Sequence, residues 1–85
     1  MADRALETVL ALLDRRGPGK TICPSEAARA LAGESGEWRA HMDAVHMAVD
    51  RLADEGRVAL SWKGEALYKR DGPYRIALAS PNASP

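Results

Sequence analysis

The sequence predicts an α+β fold in which three helices precede a two-stranded β-hairpin. Three observations carry that prediction. Apolar residues recur at helical spacing through the first two thirds of the chain, then alternate after Gly56 and again over residues 74–78. Turn-forming residues separate these runs, at Gly17-Pro18, Gly33, Gly56 and Asp71-Gly72-Pro73. The length, 85 residues, suits one small domain with a single core.

Each element has its own signals. Leu6, Val9, Leu10 and Leu13 fall at i, i+3, i+4 and i+7, one face of a helix over 3–16. Glu7 near its start and Arg15 and Arg16 near its end complement the helix dipole. Gly17 supplies a left-handed end and Pro18 prevents continuation. Lys20-Thr21-Ile22-Cys23 is partly β-branched and predicts a brief strand. Pro24 suits the first position of a second helix, Glu26 favours its positive end, and Gly33 stops it. Its inward residues are Ala27, Ala28 and Leu31.

A third and longest helix is expected over 36–55, with Ser35 as N-cap and a buried stripe of Trp38, Met42, Val45, Val49 and Leu52. In "RVALSW", Val58, Leu60 and Trp62 point one way while Ala59 and Ser61 point the other. Lys63-Gly64 begins a turn, residues 65–70 read as an irregular polar loop, and 74–78 as the returning strand. Helix, short strand, helix, helix, strand, loop, strand is the order of a winged helix. The domain is expected to occupy 1–79, with 80–85 as a disordered tail.

The run "GPGKTICPSEAARAL", followed by "WR", "RLADEGRV", "WKGEAL" and "GPYRIAL", resembles a family of small bacterial domains of unknown function. The resemblance spans about Leu6 to Leu78 and implies a winged-helix fold. It brings no reaction, ligand or catalytic residue with it.

"RRGPGKTICPSE" contains a Gly-Lys-Thr triplet, which raises the question of a phosphate-binding loop. That loop needs glycine at position 14, where the chain has Asp14. It also needs a buried strand before it and a helix directly after it, whereas an amphipathic helix precedes this one. No nucleotide is expected. His41 and His46 lie five residues apart, about 140° around a helix, and cannot jointly grip an ion. Cys23 lacks the clustered partners of a zinc site and reads as a small residue at a helix entrance. The acids Asp43, Asp50 and Asp54 read as a solvated face, and His46 with Asp50 as a surface pair. No metal, cofactor or catalytic residue is expected, and an enzyme is disfavoured.

Binding is the remaining class. Twelve basic and twelve acidic residues cancel, but unevenly. Residues 34–56 carry two cations and six anions; residues 57–75 carry five cations and two anions. In helix-turn-helix proteins the second helix of the motif reads the major groove, which here is helix three. The leading expectation is a DNA-binding or transcription-regulatory module. Arg39 would be the main helix contact, with His46 at its flank and Lys63, Lys69 and Arg70 of the wing on phosphates. The alternative is a protein-interaction module or homodimer using Ala40, Ala44 and Met47, or the hairpin. One cysteine, no signal peptide and no membrane-spanning run point to a cytoplasmic protein.

Overall fold

A computed structural model describes residues 4–17, 19–68, 70 and 72–79. The expected tail over 80–85, and the roles expected of Pro18, Lys69 and Asp71, lie outside the described residues. The chain forms α1 (Arg4–Arg16), β1 (Thr21–Ile22), α2 (Pro24–Ala32), α3 (Met42–Asp54), β2 (Val58–Trp62), β3 (Glu65–Leu67) and β4 (Arg75–Leu78). Three helices pack on a four-stranded antiparallel sheet of order β1-β4-β2-β3. This is a winged-helix arrangement, as the sequence predicts. Among the described residues, no helix is long and apolar enough to cross a membrane.

The core lies where the apolar stripes converge. Val9 and Leu13 of α1, Ala27 and Ala28 of α2, and Val45, Val49 and Leu52 of α3 are fully buried. They meet Ile22, Leu60 and Ile76 of the sheet. Ile76 is central, because β4 pairs with β1 through Ile22 and with β2 through Leu60.

Helix ends follow the local chemistry. At α1 the Gly17 N–H donates to the Leu13 carbonyl, with Gly17 at φ +92°. At α2 the Cys23 backbone N–H donates to Glu26 Oε1 at 3.1 Å, satisfying a donor at the helix entrance. At α3 the Arg57 N–H reaches the Leu52 carbonyl across Gly56, whose φ is +72°. That is a Schellman end, which favours glycine at this position.

Three expectations are corrected. Helix three does not start near Gly36. Gly36 takes φ +73°, a left-handed conformation that interrupts a helix. Two 3₁₀ turns, Gly33–Ser35 and Trp38–His41, occupy the segment instead, and the α-helix begins at Met42. Ser35 is not its N-cap: its hydroxyl donates to the Ala32 carbonyl and accepts from the Glu37 N–H. Secondly, residues 65–67 are strand rather than loop. Lys63 at φ +52° and Gly64 at φ +83° form a two-residue turn, so the chain reverses at once and Glu65 pairs with Trp62. The wing thus gains a strand, and β3 and β4 flank β2 on opposite sides. Thirdly, Trp62 does not join Val58 and Leu60 in the core but is 38% exposed.

The returning segment is held to α3. Arg70 donates to both carboxylate oxygens of Asp50, at 2.9 Å each. Asp50 therefore bonds to the returning segment while its charge still acts on His46, the neighbour expected of it. Both side chains remain partly exposed, so the bond contributes modestly. Arg70→Ala is expected to lower the unfolding free energy by about 1 kcal/mol or less, measured by urea denaturation. A loss several times larger would show that the bridge organises the whole wing.

Candidate functional site

The interruption of helix three has a consequence for the surface. Trp38 sits on a 3₁₀ turn instead of a continuous helical stripe, and with Met42 it is only half-buried. The two residues face a groove of about 440 Å³ that runs between the helix-turn-helix and the wing. Cys23 and Pro24 at the entrance of α2 form one wall. His46 of α3 lies beside Met42, and Trp62, Pro73, Tyr74 and Arg75 of the wing close the other side. Both tryptophans of the chain line this groove. Among the described residues no carboxylate lines it, and its one formal cation is Arg75.

Cations also gather around the Trp38 ring. The Arg29 guanidinium carbon lies 4.8 Å from the ring centroid and that of Arg39 lies 4.5 Å away. Both contacts are close enough for cation–π attraction, and both arginines are otherwise exposed. Arg75 donates through Nε to the Thr21 hydroxyl at 2.7 Å, which fixes it at the groove end of β4. Lys63 follows Trp62 at the exposed tip of the β2–β3 turn.

The groove floor is set by a hydrogen bond between His46 Nδ1 and the Tyr74 hydroxyl, at 2.7 Å. With the imidazole neutral, the hydroxyl donates to Nδ1. Burial and, secondarily, the Arg70 charge hold His46 below the usual histidine range; Asp43 and Asp50 oppose this only in part. The ring is therefore a neutral lining group near pH 7, in keeping with the apolar wall beside it.

The model of a family described as "Protein of unknown function (DUF3253)" matches residues 2–79. The chain belongs to the DUF3253 family. No curated protein matches it.

The site residues expected of this DUF3253 chain fall into separate places. Arg39 is at the groove, against Trp38. His46 is turned inward to Tyr74. Arg70 is engaged by Asp50. Lys63 is free at the wing tip, and Lys69 lies outside the described residues. Ala40, on the 3₁₀ turn, and Ala44 and Met47, on α3, are all exposed, Met47 at 72%. The break before Met42 removes Ala40 from the helical repeat that linked the three.

Sequence reasoning missed the groove itself, together with Arg29 and Arg75. A signal was present. Trp62 directly precedes a tight Lys-Gly turn, where a strand runs out of core to pack against.

The buried phenol supplies a test of the groove's geometry. Burial pushes the Tyr74 hydroxyl up to about 12 from an ordinary value of 10.0. Its folded value is the higher, so its contribution to stability is complete below about pH 10 and is lost as pH rises towards 12. His46 has the opposite sense: its folded value is the lower, so stability falls as pH drops below about 6.5. An ultraviolet titration is expected to show a phenolate step near pH 12 that Tyr74→Phe removes. A removed step near pH 10 instead would contradict the burial.

Proposed function

We propose that the domain is a protein-interaction winged helix that takes an apolar side chain of a partner protein into the groove between helix-turn-helix and wing. The observation that carries this reading is the groove's composition. A nucleic-acid reader would be served by a basic band running from Arg39 to the wing. Here that path is Trp38, Met42, a neutral His46, Pro73 and Trp62. Two of the expected phosphate contacts, His46 and Arg70, are engaged within the molecule. Exposed Asp43 and Asp54 on α3 add repulsion towards phosphate. Tryptophan and arginine around an apolar depression are the residue types that dominate protein-binding hot spots.

A nucleic-acid reading keeps one specific support, the exposed guanidinium groups of Arg29 and Arg39 against Trp38 with Lys63 at the wing tip. One experiment separates the two. A photo-crosslinking amino acid placed at position 62 in cells is expected to give protein adducts that survive nuclease. The same residue at Ala11, exposed on α1, should give few. Nuclease-sensitive adducts would favour nucleic acid, and equal labelling at both positions would remove the groove from either reading.

A further inference from the structure

Four cations border the groove, and among the described residues no carboxylate lines it. Arg75 is part of its wall. Arg29 and Arg39 lie within 4.8 Å of the Trp38 ring that forms its opposite side. Lys63 directly follows Trp62. Neither Arg29, Arg39 nor Lys63 forms an ion pair among the described residues, whereas Arg16, Arg51, Arg57 and Arg70 all do. Acids also adjoin the lining: Glu26, which accepts from the Cys23 N–H and is held by Arg16, Glu37 next to Trp38, Asp43 next to Met42, and Glu65, paired across from Trp62. Of these, Glu37, Asp43 and Glu65 are exposed. What distinguishes this rim is the Trp38 ring, on which two guanidinium groups converge without a carboxylate partner among the described residues.

We propose that the groove's occupant is an acidic segment of a partner protein. It would seat one aliphatic or aromatic side chain among Trp38, Met42 and Trp62, and meet Arg29, Arg39 and Arg75 with flanking carboxylates. This rests on the protein-partner reading and adds the partner's chemistry. A basic segment would bring like charges to the rim. A neutral apolar one would leave the guanidinium groups desolvated without anionic partners, which is costly. Arginine is suited to this role because its planar fork receives a carboxylate bidentately while its face stays on an aromatic ring.

The test is selection from a random peptide library displayed on phage against the full chain, with the Trp62→Ala variant for counter-selection. Trp62 is already 38% exposed, and far-ultraviolet circular dichroism checks that the variant stays folded. The expected result is enrichment of peptides with one or two apolar anchors flanked by Asp or Glu. A selected peptide lacking tryptophan should change the protein's own tryptophan emission. Its affinity should fall at least ~10-fold in the Arg29→Glu/Arg39→Glu variant, return in the double lysine variant, and weaken between about 50 and 500 mM salt.

Enrichment of apolar peptides with no acidic bias, or affinity unchanged in the glutamate variant, would overturn the acidic assignment and leave the groove reading standing. Enrichment indifferent to Trp62→Ala would remove the groove reading, and this inference with it. Tighter, Trp62-dependent binding of a single-stranded oligonucleotide would overturn the inference in favour of nucleic acid.

Discussion

Ile76→Ala is expected to cost about 3 kcal/mol of unfolding free energy. Ile76 is fully buried and sits on the strand that joins β1 to the rest of the sheet. Removing its side chain forfeits the transfer energy of the deleted methyl and methylene groups. It also leaves a cavity that two flanking strands and three helices cannot close together, and such truncations cost about 2–5 kcal/mol. A domain of this size has little to spare: marginal stability of ~5–10 kcal/mol makes the change a large fraction of the whole. The midpoint of thermal unfolding should fall by roughly 15 °C, measured by circular dichroism. A shift of only a few degrees would mean that β4 does not hold the sheet together.

Trp62→Glu should have the opposite profile, a small effect on folding and a large one on binding. The side chain is partly exposed at the end of β2, so the fold loses little apolar burial. In the groove it is one of the two tryptophans that a partner's anchor would touch. Replacing a tryptophan hot spot costs about 2 kcal/mol or more of binding free energy, and a new carboxylate beside Arg75 would also compete for the partner's acidic groups. Peptide affinity is expected to drop by roughly 30-fold or more, read by calorimetry, while the thermal midpoint stays within a few degrees.

The helices and the core were legible because periodicity reports burial directly. Val9, Leu13, Val45, Val49 and Leu52 were marked by spacing and are all fully buried. The misread places are those where one glycine's conformation decides the path. Gly36 could have been tolerated within a helix, and only its left-handed backbone shows that α3 begins at Met42. Gly64 could have opened a long loop, and only the positive φ of Lys63 beside it shows the tight reversal that makes β3. Both errors bear on the site. The first moved Trp38 off the helical stripe and the second placed Trp62 beside the wing's turn, so a groove formed that neither segment displays alone.

The electrostatics were less legible for a related reason. Counting charges assigned a basic character to residues 57–75, but pairing depends on which elements touch. Arg70 lies 20 residues from Asp50 in the chain and is bound to it in the fold. Arg29 and Arg39, on different elements, converge on one ring. Their convergence, unlike the wing's net charge, places two guanidinium groups without a carboxylate partner among the described residues at the groove's edge.

The central claim is that binding takes place in the groove between helix-turn-helix and wing, and two-dimensional NMR tests it most directly. The chain has only two indole N–H groups, Trp38 and Trp62, and both line the groove. Adding a selected acidic peptide to the ¹⁵N-labelled full chain is expected to shift both indole signals, together with the amides of Cys23, Met42 and Arg75. Shifts confined to Ala40, Ala44 and Met47, with both indole signals unmoved, would contradict the account.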